Sequence, residues 1–524
     1  MKKIPRKPPT DDQAWKEDKQ KIPETKLPAA LNEKMQMLQP HLKKGADIIT
    51  RPFFLQGEPP LEAVAIYLNK VIDDETLNQD ILRPLMINCR EESIQDLGAQ
   101  NLMDAIYKTS ITASQISKTN TFASLVQTIF DGMTVLLFDG LEEVLVLDIH
   151  GGPFRAIDAP PAEQTMRGSR EGFIERLDIN IALVRRRLRD PNLVVEKTLV
   201  GRRTRTQVAI LYIDDIADPN IVRTLKDRVN QMDLDGIVAS GYIEQFIEDS
   251  PTSIFSQVFI TERPDKLVAL LLEGRVAIIA DNTPLSFAVP ALFVQFLQAP
   301  EDYYEKTFFS SYIRILRYIS LLIAISLPAL YIALLTYQPE LIPYDLLISF
   351  SRARANVPFP VIVEALIMEI IIQMVIEAGL RLPQQIGQTV GVVSGIILGQ
   401  AAISAKLASP IVILIISISI ICTYALPSAS MVLTTRLLRL PIMLLAATFG
   451  LFGIAFGWIV VQAHLIGLES MGVPYFAPLA PMRLADLKDT FIRTFWKKMN
   501  QRPVSIPMQD RKRQGNDGKE PQQP

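Results

Sequence analysis

The sequence predicts an α/β domain built of two subdomains, followed by an all-α transmembrane helical bundle. Residues 313–465 carry long apolar runs with few charges, whereas before Asp281 a charged side chain recurs every few positions. In the first half, strand-like and helix-like segments alternate. In the second, glycines return at every fourth position from Gly387 to Gly399. At 524 residues the chain has room for two or three folded units. The expected organisation is a flexible basic N-terminal arm at 1–60, α/β subdomains at 61–160 and 161–285, a transmembrane domain at 286–481 and a basic tail at 482–524.

Composition narrows the function classes. The net charge is −2 with 21% charged residues, and the run Arg185-Arg186-Arg187-Leu188-Arg189 has no interleaved aromatics on which bases could stack, so nucleic acid is not an expected partner. Cys89 and Cys422 lie in different halves, which gives no disulfide framework. His41, His150 and His464 are widely separated, so no metal site is expected. No nucleophile, base and orienting group fall at recognisable spacing, so neither catalytic residues nor a cofactor are assigned.

The N-terminus lacks the apolar core of a secretory signal, so the first span is expected to start from the cytoplasm. The opening residues, rich in Lys, Pro, Gln and acids, predict a flexible arm. Leu61–Val71 and Thr121–Phe130 read as helices leading into strands Met133–Phe138 and Glu142–Ile149. Between the two strands, Asp139-Gly140 predicts a tight hairpin turn. The Gly- and Pro-rich stretch from Gly151 to Gly168 marks a subdomain break. Beyond it come strands Leu193–Val200 and Gln207–Ile213, a helix capped by Asp218 with Pro219 at its first position, a helix at Asp265–Leu272 and a strand at Arg275–Ala280. Alternating strands and helices suggest a partly parallel sheet. Gly201-Arg202-Arg203-Thr204-Arg205-Thr206 lacks the spacing of a phosphate-binding loop and reads as a subunit contact or solvated turn.

Phe287–Leu297 is apolar but too short to cross a bilayer, which predicts an interfacial or re-entrant element. Tyr303, Tyr304, Tyr312 and Tyr318 with Lys306, Arg314 and Arg317 form an aromatic and basic collar ahead of the first span, Ile319–Tyr337. Val361–Ala378 is long enough to cross but contains Glu364, Glu369, Gln373 and Glu377, a stripe that must face protein or water. It reads either as an ion-facing stripe or as an in-plane helix with its acids in solvent. Gly387, Gly391, Gly395 and Gly399, with Gln388 close to the same face, trace a groove that admits a neighbouring backbone, in one bundle or between copies around a pore. Pro410–Met431 and Leu440–His464 supply two more spans, separated by Arg436 and Arg439, with Trp458 as an interfacial anchor. Four full crossings are expected, five being the alternative, and Leu465–Pro481 reads as re-entrant.

Several motifs together resemble the GerA family of spore germination proteins, specifically the A subunit of nutrient germinant receptors. They are Arg170-Glu171-Gly172-Phe173, Asn180 to Arg187, Gly201 to Thr206, Ser240-Gly241-Tyr242-Ile243, Thr261-Glu262-Arg263-Pro264-Asp265, Leu271 to Ala277 and Gly399-Gln400-Ala401-Ala402. Ser169 and Asn282 depart from the usual family residues, Pro and Gly. The resemblance implies a multi-pass protein of the spore inner membrane, working with a transporter-like B subunit and a lipoprotein C subunit. It further implies a homo-oligomer such as a pentamer, contacting membrane lipid, that initiates germination as a ligand-gated channel releasing monovalent cations. A non-conducting relay scaffold and a secondary transporter are the alternatives. Arg202, Arg203, Arg205, Glu262, Arg263 and Asp265, which lie in these motifs, are the candidate subunit contacts on the cytoplasmic side.

Overall fold

The computed structural model describes residues 23–55, 60–87, 116–149, 151, 163, 167–381, 395 and 397–513. Gly387, Gln388, Gly391, Cys89, His150 and most of the Gly- and Pro-rich break lie outside the described residues. Two compact units result, residues 1–156 with 178–196, and residues 157–177 with 197–524. The boundary therefore differs from the expected one, because 178–196 returns to the first unit.

The first unit is built on a five-stranded sheet of β1 (Ile48–Leu55), β2 (Leu61–Leu68), β3 (Ile116–Thr119), β4 (Thr134–Phe138) and β5 (Val144–Leu147) in the order β1-β2-β4-β5-β3, with every neighbouring pair antiparallel. Alternation along the strands divides the core. Ala63, Ala65, Tyr67, Leu136 and Phe138 face one apolar cluster with Leu77, Ile81 and Leu85. Val64, Ile66, Val135 and Leu137 face another, built with α1 (Leu31–Leu42) and α2 (Phe122–Phe130). Leu61–Leu68 is thus a strand, where the sequence suggests a helix. A central strand covered on both faces reads as an unbroken apolar run, and that run conceals its period. The predicted hairpin is present, with Gly140 at φ +74°.

The arm expected at 1–60 is folded from Leu31 to Leu55. Asp139 of the hairpin turn accepts the Leu31 amide at 2.9 Å and so caps α1. Lys34 is fully buried and donates to the carbonyls of Phe138, at 2.9 Å, and Leu141. Burial lowers its pKa, and Asp139 and Glu142 partly offset the fall. Arg185, on α3 (Leu177–Arg187), is likewise interior, paired with Asp47 through two bonds of 2.6 and 3.0 Å.

In the second unit the sheet runs β6-β7-β9-β10-β8, with β6 (Leu193–Val200) straddling the unit boundary, then β7 (Thr206–Ile213), β8 (Phe259–Thr261), β9 (Val276–Ala280) and β10 (Ser286–Val289). The β7–β9, β9–β10 and β10–β8 pairings are antiparallel, not the partly parallel arrangement suggested by strand–helix alternation. Phe287 belongs to β10, between β9 and β8, and Phe293–Leu297 is a buried 3-10 turn; this short apolar run is sheet core, not an interfacial element. Asp218 caps α4 (Pro219–Asn230) by accepting the Asn220 amide at 2.8 Å. Two more short helices follow, α5 (Gly241–Ile247) and α6 (Pro264–Leu271).

The longer helices that follow among the described residues are α7 (Thr307–Thr336), α8 (Tyr344–Arg354), α9 (Val361–Arg381), α10 (Pro410–Tyr424), α11 (Ala429–Phe449) and α12 (Leu451–Gly467). By length and apolarity α7 and α11 can each cross a membrane, while α10 and α12 are shorter apolar helices. Helix α7 runs unbroken through Pro328. The expected spans Pro410–Met431 and Leu440–His464 are re-divided, because the chain breaks at 425–428, which holds Pro427, and reverses at Gly450. Gly450 adopts φ +60°, and a Cβ on Gly453 would fall within 2.0 Å of the Leu445 carbonyl oxygen, so this α11–α12 turn requires glycine at both places. Arg436 and Arg439, expected between two spans, lie inside α11.

Residues 465–481 form, beyond the end of α12, a small hairpin, β11 (Glu469–Ser470) with β12 (Val473–Pro474), followed by turns. Within the described residues the expected basic tail folds back on the second unit: Met508 bridges Ala217, and the Gln509 side chain donates to the carbonyls of Asp214 and Ala217 at 2.8 and 2.7 Å.

Candidate functional site

Helix α7 is the hub of the bundle, packing on α11 and α10 and touching α9 and α12. Its first turns carry the expected collar, but the charges turn inward. Arg314 and Arg317 meet the buried Asp302 at 3.2 and 2.8 Å, and Arg314 also reaches Asp489 at 2.9 Å. Tyr303 donates to the same Asp489 at 2.7 Å. Burial raises the Tyr303 hydroxyl well above its ordinary range, and the negative Asp489 beside it adds to the rise. Trp458, expected as an interfacial anchor, donates its indole N–H to Ser326 on α7 at 2.9 Å.

Deep in the bundle, α9 supplies two carboxylates and two different partners hold them. Glu364, fully buried, accepts the Ser409 amide at the start of α10 and the Arg354 guanidinium of α8 at 3.2 Å. Five residues on, Glu369 is 2% exposed and receives Arg439 of α11 at 2.8 and 3.1 Å. Arg439 spends its remaining donors on the Ala324 carbonyl (2.8 Å), the Thr423 hydroxyl (2.7 Å) and the Ser419 carbonyl (3.4 Å). One guanidinium therefore ties α7, α9, α10 and α11 together. A charge buried among apolar helices persists only when it is paired and hydrogen-bonded, and Arg439 meets that condition. Gln373 donates to Glu369 at 3.1 Å.

These contacts correct the reading of the stripe as a simple face. Glu364 and Glu369 are not exposed to solvent; both are bundle-internal anchors, Glu369 at the inner end of a groove. From Glu369 outwards, however, a groove opens that is lined by Ile370, Gln373, Met374, Glu377 and Leu440. The lower half of the stripe thus faces open space and the upper half is locked. Arg439 is the residue that sequence reasoning misplaced, although an arginine within a long apolar stretch is itself a signal for an internal acid.

Of the glycine row, Gly395 and Gly399 are described, and an added Cβ at either would meet nothing within 4 Å. No neighbour inside this chain occupies that edge among the described residues. Among the candidate contacts, Arg263 is 1% exposed and donates to Asp265 at 3.1 and 2.7 Å and to the Ser169 carbonyl at 3.0 Å. Burial alone would raise the Asp265 carboxyl; the hydrogen bonds from Arg263 and Tyr304 outweigh it and hold the group below the usual carboxylate range. Arg263 and Asp265 are therefore a structural pair, not a free contact surface. The Glu262 carbonyl accepts the Phe173 amide at 2.7 Å. Arg202, Arg203 and Arg205 are exposed.

The family model for the Bacillus/Clostridium GerA spore germination protein matches residues 36–505, covering both sheets and the bundle. The chain belongs to the GerA family. Relatives of this GerA-family chain include the uncharacterized membrane protein YfkQ of Bacillus subtilis (strain 168), 38% identical over 87% of this chain and 88% of that one. Spore germination protein KA of the same strain is 35% identical over 90% and 86%. Spore germination protein GerLA of Bacillus cereus is 35% identical over 92% and 97%. A solved N-terminal domain of the A subunit of the Bacillus megaterium spore germinant receptor GerK3 is 29% identical and spans 52% of this chain and 98% of that domain, with a TM-score of 0.41.

Proposed function

We propose that this GerA-family chain is the A-type subunit of a nutrient germinant receptor of the spore inner membrane, and that copies of it form a gated path for monovalent cations. The observation that carries the reading is the Glu369–Arg439 pair at the closed end of a groove lined by Gln373 and Glu377. Ionisable groups at that depth are costly, and one inexpensive explanation for a carboxylate stripe that is half locked and half open is an ion route with its inner end shut. The open edge at Gly395 and Gly399 supports a neighbour from outside the chain, and a second copy with small-residue packing fits it. Transporter-like B and lipoprotein C subunits are the partners this role calls for, the B subunit acting as nutrient binder and biasing the glycine-edged packing.

The full chain, purified and reconstituted in potassium-loaded vesicles with and without its B-type partner, tests this directly. Nutrient-dependent potassium release is expected, and Gly395→Leu should reduce both release and oligomer size. Vesicles that stay tight with every component present would leave a relay scaffold as the better reading. Flux that instead requires a counter-transported solute would indicate a transporter.

A further inference from the structure

The small helix α5 is amphipathic in an unusual sense. Ile243 and Ile247 bury inward, while Tyr242 and Phe246 stand exposed at helical spacing on the other side. Val238, four residues before Tyr242, is 77% exposed, and Ile254 just beyond the helix is exposed as well. A solvated helix does not ordinarily present such a run of large apolar groups.

Its height relative to the helical bundle follows from the loop after α5. The Thr434 hydroxyl of α11 donates to the Ile254 carbonyl at 2.7 Å, and Ser253 hydrogen-bonds His464 of α12 at 2.9 Å. Helix α11 has 21 residues, about 31 Å at 1.5 Å per residue, which only just matches a hydrocarbon layer of about 30 Å. Thr434 is the sixth residue of α11, about 7 to 8 Å from its start. His464 lies in the last turn of α12, which has 17 residues. Ile254 and Ser253 are thus held beside the first turns of α11 and the last turn of α12.

Charge points the same way. The Arg202 to Thr206 turn is hydrogen-bonded to the segment leading into Val238: the Arg202 and Arg203 amides donate to the carbonyls of Leu234 (2.8 Å) and Asp235 (2.7 Å), and the Ile237 amide donates to the Thr204 hydroxyl at 3.1 Å. Arg202 pairs with Asp233 at 3.1 Å, whereas Arg203 and Arg205 are exposed and form no ion pair among the described residues. We infer that Val238, Tyr242, Phe246 and Ile254, flanked by Arg203 and Arg205, form a lipid-docking surface that rests this sheet domain on an anionic leaflet. Aromatic rings suit the headgroup layer, and the two guanidinium groups complement its charge.

The test uses the full chain with Cys89 and Cys422 replaced by serine and a nitroxide attached at Phe246→Cys, or in a second variant at Tyr242→Cys, in nanodiscs with and without phosphatidylglycerol. At both positions, collision with oxygen should exceed collision with a water-soluble nickel complex relative to an exposed control at Glu75→Cys, and Arg203→Glu should shrink the excess only in the anionic discs. Spectra dominated by the nickel complex would overturn the proposal, as would labels shielded from both reagents, the pattern of a surface covered by protein.

Discussion

Glu248, at the end of α5, accepts the Gln257 amide at 2.8 Å. Burial pushes its carboxyl up to about 7, with the Gln257 amide opposing the rise and the nearby Glu244 and Asp249 reinforcing it. Burial raises the Glu244 carboxyl too, against a bond from Ser256. The loop these acids hold also carries Asp249, which pairs with Arg228, and the Ser253 contact to His464. A carboxyl whose folded pKa lies above its unfolded value keeps a proton in the folded state that the unfolded state has already released. Its favourable contribution is complete below the ordinary carboxylate pKa and is lost as pH rises through about 7. Hydrogen exchange of the 249–257 amides, corrected for the intrinsic rate, should accelerate between about pH 5.5 and 8. In Glu248→Gln most of that rise should vanish, leaving the share due to Glu244; an identical rise in the variant would exonerate Glu248.

Between helices, the Glu369–Arg439 pair dominates, since it joins α9 to α11 and, through Ala324, to α7. Removing one partner leaves an uncompensated charge among apolar side chains, a loss of about 3 to 5 kcal/mol, whereas exchanging both for apolar groups of similar size is often neutral. Arg439→Met and Glu369→Gln should each lower the unfolding midpoint of the detergent-solubilised protein, and Glu369→Leu combined with Arg439→Met should restore most of it. Cation flux separates structure from gating: on the proposed reading the restored double variant still conducts abnormally, because the locked end of the groove is gone. A double variant normal in both stability and flux would reduce the pair to a packing device.

At the scale of the whole chain, the segment from Trp496 to Arg513 crosses back over the second sheet, with Arg502 donating to the Leu272 carbonyl at 2.7 Å and Asp486 accepting the amides of Val504 and Ser505 at 2.9 and 2.7 Å. Truncation after Lys498 should speed trypsin cleavage at Arg223 and lower the unfolding midpoint by several degrees, the lost bonds summing to about a few kcal/mol; unchanged cleavage would mark the strap as dispensable. Much of this molecule was legible in advance wherever the signal is local. The Asp139-Gly140 hairpin, the Asp218 cap, the strands at Leu193–Val200 and Arg275–Ala280 (Val276–Ala280 in the structure), and the first long apolar helix all answer to residues within a few positions of one another. What escaped depends on partners far along the chain. Leu31–Leu42 folds because Asp139 and the Phe138 carbonyl, more than a hundred residues on, receive Leu31 and Lys34, and Arg439 belongs in a helix because Glu369, seventy positions earlier, neutralises it. By itself the sequence determined the two-part architecture, the family and the presence of acids in an apolar helix, since periodicity, turn chemistry and composition act over short range. Only the tertiary structure decided which acids are locked and which line open space, because burial and ion pairing are set by whichever distant segment packs alongside.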